Sequence, residues 1–284
     1  MKTNEINIRD PFVLCKNGLY YMYGTRAKDF GMRTGGFDVY TGTDLENWSA
    51  PKQVFDSAKW GLNAASNWAP EVHEYGGRYY AFATFEQKNG KRGTYALVAD
   101  APEGAFRPVS DKPLTPEDWW SLDGTLYVDR AGNPWLVFCH EHVQILNGTV
   151  CAVPLAADLS APAGEPRLLF YGHNAYDASP NAERRYVTDG PFLFRGENDA
   201  LYMIWSTGIN GEYAQCIAVS DNGEIDGNWV QLPPLFTKDG GHGMIFRDLA
   251  GDLRLVLHQP NVQLSEHPVF FRLEDTGMVL RIRS

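Results

Sequence analysis

Three aspartates and one histidine occupy the same kind of place along this chain. Asp10-Pro11-Phe12-Val13, Ser121-Leu122-Asp123-Gly124, Thr188-Asp189-Gly190-Pro191 and Gly241-His242-Gly243-Met244 each deliver a polar side chain onto the first residues of an apolar run. Trp68-Ala69-Pro70-Glu71-Val72 puts a tryptophan in the same setting. A single aspartate before a strand is ordinarily a turn residue; it is the recurrence that argues for chemistry. Carboxyl groups gathered at one point repel, and the repulsion keeps one protonated near neutral pH while another is ionised. An ionised base for water beside a protonated acid for a leaving oxygen is the pair that glycoside hydrolysis needs.

The elements that must gather these residues follow from their spacing. Asp10, Trp68, Asp123, Asp189 and His242 stand 58, 55, 66 and 53 residues apart. A strand-built repeat of roughly fifty residues predicts propeller blades. The expected fold is all-β, a five-bladed β-propeller with four-stranded blades over residues 1–284 as one domain, the blades covering about 10–66, 68–118, 122–182, 188–238 and 241–284. The last blade contains four apolar runs of its own, Met244–Phe246, Leu253–Leu257, Val269–Leu273 and Met278–Ile282. The ring is therefore expected to close without an exchanged terminal strand.

In a propeller the first strand of each blade lines the axis, so the five strand entrances converge on one mouth of the channel. A hairpin's second strand ends where its first began. Thr25-Arg26, Thr84-Phe85-Glu86, His140-Glu141-His142, Ser206-Thr207 and His258-Gln259 should ring the same mouth. Trp68, Phe30, Phe37 and Phe85 are candidate sugar platforms there, with core packing as the alternative for each.

Composition limits the partners. Apolar residues make up 44% of the chain, enough for a packed core. The 13% of aromatics suits a carbohydrate site as well as β-sheet packing. A net charge of −10 with no basic patch speaks against nucleic acid and anionic membrane. No run is long and apolar enough to span a bilayer. Cys15, Cys139, Cys151 and Cys216 lie in strand-like runs without metal-ligand spacing, so they read as free thiols. The first residues lack the apolar segment of a secretory signal, from which a cytoplasmic location is expected.

Taken in order, Arg9-Asp10-Pro11, Trp68-Ala69-Pro70-Glu71-Val72, Leu122-Asp123-Gly124, Asp189-Gly190-Pro191 and Gly241-His242-Gly243 resemble the motif series of glycoside hydrolase family 43 over essentially the whole chain. The resemblance implies a five-bladed propeller and an inverting glycosidase acting on oligosaccharides. It implies Asp10 as general base and Asp123 as the residue that tunes and orients the acid. Family members carry a Glu in a Glu-Gly-Pro motif as general acid; this chain has Asp189 there, one methylene shorter. The acid is then Asp189 or Glu141, which the hairpin argument brings to the same mouth. Trp68 and Glu71 follow the family's second segment and, with Phe37, Phe85 and His140, are the expected substrate contacts. The resemblance also implies a channel calcium with His242 as ligand, although a histidine bonded to water or a carboxylate explains the residue equally well and the chemistry requires no ion. The function expected is removal of a terminal pentose, α-L-arabinofuranose first, with β-xylose or β-galactofuranose next. The competing readings are a non-catalytic sugar-binding propeller and a phosphorylase using Arg184, Arg185 and Arg195.

Overall fold

The computed structural model describes residues 1–27, 35–277 and 279–283. The strands form five four-stranded sheets, and within each sheet the strands follow one another in chain order. The inner strands are Ile8–Lys16, Trp68–Tyr75, Ser121–Val128, Asp189–Arg195 and Gly241–Arg247. Each packs against the inner strands before and after it, which closes the circle. This is the expected five-bladed propeller.

Local chemistry makes the hairpins. Asn17-Gly18, Gly76-Gly77 and Asn210-Gly211 are two-residue turns with φ values of 51°/75°, 56°/77° and 52°/85°. Two successive positive φ angles match the right-handed twist of the strands they join. The strands leaving these turns return antiparallel, as Leu19–Arg26 does on Ile8–Lys16 and Arg78–Glu86 on Trp68–Tyr75.

The core lies between blades rather than in one central mass. One cluster joins Met244, Phe246 and Val256 of the last blade to Tyr20, Met22 and Phe37 of the first and to Phe85 and Leu97 of the second. Further clusters fill the second-to-third, third-to-fourth and fourth-to-fifth seams. Each seam buries two sheet faces against each other, so the inner strands are held in fixed rotation about the axis.

Blade five is complete with Gly241–Arg247, Leu253–Gln259, His267–Asp275 and Leu280–Ile282. No terminal strand is exchanged. Closure relies instead on side chains across the seam between blades five and one. Tyr20 Oη accepts from Leu249 N at 2.9 Å, Arg9 Nη1 reaches Glu266 Oε1 at 2.7 Å, and the Trp48 and Phe270 rings stack at 6.1 Å. The only α-helix among the described residues is the single turn His142–Ile145 at the channel mouth.

Candidate active site

Each inner strand is kinked at its entrance. The register slips between Arg9 and Phe12, Trp68 and Glu71, Asp189 and Phe192, and Gly241 and Met244; in blade three the slip lies opposite Val137–Cys139. At the kink one residue per blade is left-handed: Asp10, Ala69, Asp123, Gly190 and His242, with φ of 52°, 46°, 56°, 50° and 48°. Four of these are not glycine, and such backbone costs about 1–3 kcal/mol per residue unless its surroundings hold it. A bond from the kinked N–H supplies that hold. Ala69 N donates to Thr25 Oγ1 at 2.7 Å, Asp123 N to Thr84 Oγ1 at 2.9 Å, His242 N to Ser206 Oγ at 2.8 Å and Asp10 N to His258 Nδ1 at 3.2 Å. In the third blade the equivalent side chain is Cys139, a poor acceptor, and Gly190 N donates instead to Asp123 Oδ2 at 3.1 Å.

The kink divides the recurrent positions into two phases. Asp10, Asp123 and His242 are themselves the kinked residues. Trp68 and Asp189 come one residue earlier, in register with Arg9, Leu122 and Gly241. A cavity of about 90 Å³ at the mouth is lined by Arg9, Asp10, Trp68, Leu122, Asp123, Asp189 and His242. All seven come from these two successive positions of the five inner strands, and the three members that do not line it are the small ones, Ala69, Gly190 and Gly241. The two glycines have no room for a side chain. A Cβ on Gly190 would stand 2.4 Å from the His242 ring, and one on Gly241 would stand 2.7 Å from the Tyr213 ring. Larger hollows of about 390 and 500 Å³ lie at outer blade edges; the first includes Asp111, Glu117 and Glu165 in its lining, but these acids are exposed, unlike the buried Asp10 and Asp123.

Within the cavity the acids experience different surroundings. Burial pushes the Asp10 carboxyl up, but His242, Arg9, His258 and the Thr25 hydroxyl together outweigh it and hold Asp10 below the ordinary range. The His242 Nδ1 stands 3.1 Å from Asp10 Oδ1 and 3.7 Å from Asp123 Oδ2, and Thr25 Oγ1 donates to Asp10 Oδ2 at 2.7 Å. Asp123 moves the other way. Burial, with Asp189 and Asp10 adding repulsion against the attraction of His242, pushes it up to about 8. Asp189 is also raised, by burial first, with His242, His142 and the Tyr213 hydroxyl opposing. Burial would keep His242 neutral, yet Asp10, Asp123, Asp189 and Glu71 outweigh it and raise His242 above the ordinary range. One carboxyl held low, two held high and a histidine raised by their charges offer acid–base chemistry within one cavity.

The model for glycosyl hydrolases family 43 matches residues 4–274. The chain belongs to glycosyl hydrolase family 43. A solved endo-arabinase from Bacteroides thetaiotaomicron VPI-5482 is 38% identical with a TM-score of 0.88, the match covering 96% of each chain. An endo-1,4-beta-xylanase from the same organism is 23% identical with a TM-score of 0.82 over 98% of this chain and 95% of its own, a likeness of fold. The extracellular endo-alpha-(1->5)-L-arabinanase 1 of Bacillus subtilis (strain 168) is 24% identical over 147 residues, a match spanning 48% of this chain and 44% of that protein.

Not every expected residue of this family-43 chain reaches the cavity. Glu141 is at the mouth but not free. The Arg92 guanidinium grips both its oxygens, through Nε to Oε1 at 2.7 Å and through Nη2 to Oε2, and Arg92 is in turn sandwiched 4.8 Å from Trp68 and 4.5 Å from Trp120. Phe37 and Phe85 are core residues, 1% and 0% exposed, packed on each other at 5.8 Å and on Phe55. His140 stacks on Trp119 at 4.1 Å and meets Gln144 Oε1 at 2.9 Å. Glu71 is buried and engages His73 Nε2 at 3.1 Å, contributing field to His242 rather than a cavity wall. Phe30 lies outside the described residues.

A calcium in the family-43 channel, expected with His242 as ligand, would have to take most of its oxygens from water. Calcium takes about six to eight oxygens. Among the described residues no three His, Cys, Asp or Glu side chains are grouped to hold a metal ion, and the two aspartates near His242 both face its Nδ1. The residues present do not make such a shell. Of the arginines that a phosphorylase would need, Arg195, at the opposite end of its strand from Asp189, bonds Tyr127 Oη, and Arg185 pairs with Glu183.

Two functional neighbours escaped the sequence reading, Arg92 and Tyr213. Both stand at the start of a third strand, Arg92–Ala99 and Glu212–Ser220. A third strand begins where the second ends, so the same hairpin argument, carried one strand further, would have brought them to the mouth.

Proposed function

We propose that this family-43 protein is an inverting hydrolase of α-L-arabinofuranosyl linkages in arabinan-type oligosaccharides. The observation that carries the chemical reading is the opposite displacement of acids within one cavity, Asp10 lowered and Asp189 and Asp123 raised. Asp10, ionised, takes a proton from a water as that water's oxygen bonds the anomeric carbon. Asp189 gives its proton to the departing glycosidic oxygen as the carbon–oxygen bond breaks. Asp123 acts on Asp189 from two sides. The two carboxyls repel when both are ionised, which favours keeping one proton between them, and the Asp123 Oδ2 holds the Gly190 N–H of the next residue. Glu141 is poorly placed as the acid, because Arg92 engages both of its oxygens.

The choice of arabinose rests on the 38%-identical relative described as an endo-arabinase. That description favours cleavage within the chain over the terminal removal expected from sequence. The test is digestion of α-1,5-linked arabino-oligosaccharides, with xylo-oligosaccharides and aryl galactofuranosides alongside, followed by proton NMR in the first minutes. The expected first product is the β-anomer, with di- and trisaccharides among the early fragments. An α-anomer first would overturn inversion, arabinose as sole early product would restore terminal removal, and release from xylan alone would replace the sugar.

A further inference from the structure

Tyr213 is the buried polar side chain nearest the chemistry to which no role has yet been given. Its hydroxyl donates to Asp189 Oδ2 at 3.0 Å. Its ring stacks on His258 at 5.6 Å and 18°. Gly241 leaves the space that the ring fills, since a Cβ there would meet Tyr213 Cε1 at 2.7 Å. The stack reaches the base as well: Asp10 N donates to His258 Nδ1, and His258 Nε2 faces Asn261 Oδ1 at 3.2 Å, which sets the proton on Nε2. His258 is wholly buried. The hydroxyl is thus aimed by a ring that packs on His258 and against the backbone at Gly241.

We infer that Tyr213 is a positioning residue for the general acid, engaging one oxygen of Asp189 so that the other holds the proton facing the leaving group. This rests on Asp189 being the acid. The argument is geometric. A carboxyl group on a short side chain can turn about its last bond, which exchanges its two oxygens. A fixed donor on Oδ2 breaks that equivalence, because the proton of a neutral carboxyl must then reside on Oδ1. In a chain whose acid is one methylene shorter than the family's glutamate, a fixed orientation matters more, since there is less reach to correct a wrong one. The groups facing Asp189 from neighbouring elements are His242, His142, Asp10, Asp123 and Cys139; of the uncharged ones, only the phenol is placed as a donor to its carboxylate.

The test compares Tyr213→Phe with Asp189→Ala on two substrates, an α-1,5-arabinotriose and a nitrophenyl arabinofuranoside, whose leaving group needs little protonation. Thermal unfolding verifies that both variants are folded. The expected result for Tyr213→Phe is a fall in kcat of about 10- to 100-fold on the triose and less than about threefold on the aryl glycoside, with KM little changed on either. A second variant with 4-aminophenylalanine at 213 keeps the ring and a donor and should recover most of the lost kcat. Equal losses on both substrates, or no recovery with the amino variant, would overturn the inference. If Asp189→Ala itself loses both activities equally, the acid assignment fails independently of Tyr213.

Discussion

Two acidic groups at the same channel mouth illustrate opposite uses of burial. Glu141 is 3% exposed, and Asp10 and Asp123 are 8% and 6%. Glu141 meets a permanent cation that fits both its oxygens, and Arg92 is itself pinned between two indole rings. The partners of Asp10, Asp123 and Asp189 are one another, a titratable histidine, a neutral histidine and hydroxyls. The first arrangement fixes a charge and joins blade two to blade three. The second leaves protons free to move. Depth of burial does not distinguish a structural carboxylate from a chemical one; the nature of its partner does.

The largest effect should come from the chemical side. Asp10→Asn removes the base while retaining shape and a hydrogen-bonding oxygen for Thr25. Turnover should fall by about a thousandfold or more on triose and aryl glycoside alike, because water attack is needed for both. The melting temperature should move by no more than a few degrees. An Asp10→Asn protein that retained even a tenth of wild-type turnover would place the base elsewhere.

Glu141→Gln should do the reverse. It leaves the mostly buried Arg92 without its charge partner, a loss of about 3 kcal/mol once the partial exposure of the arginine is allowed for. In a chain of this size that corresponds to a melting temperature lower by about 5 °C. The ratio of triose to aryl-glycoside turnover should stay at its wild-type value. A selective loss on the triose in a protein of unchanged stability would make Glu141 the acid and reverse the comparison.

The same contrast explains how much was legible in the chain. The five strand entrances could be read from spacing, because a blade repeats its turn chemistry. The division into two phases could not: a left-handed kink at Ala69 or His242 has no local sequence signal, and it depends on Thr25 or Ser206, 44 and 36 residues away. Phe85 was placed at the mouth by counting strand ends without regard to side. Thr84, one residue earlier, binds the kinked N–H of Asp123, so by strand alternation Phe85 points into the seam between blades. The partner of Glu141, Arg92, lies 49 residues before it, beyond any local pattern.

The smallest effect should be a gain in stability, and it depends on pH. Asp123, pushed up to about 8 from an ordinary 3.8, binds its proton more tightly folded than unfolded. Its contribution is therefore full below about pH 4 and is lost progressively as the pH rises toward 8, where the folded chain must either keep a proton that the unfolded chain has released or bury a third negative charge. Asparagine cannot ionise, and its side-chain oxygen can still accept from Gly190 N. Asp123→Asn should melt within a degree or two of wild type near pH 4 and above wild type near pH 8, while losing turnover on the triose. The loss of stability that Asp10 causes on acidification is common to both proteins and cancels in the difference. A difference in melting temperature that stays level from pH 4 to pH 8 would mean that Asp123 titrates normally, and the distinction between carboxylates held by a fixed cation and carboxylates held by each other would lose its electrostatic basis.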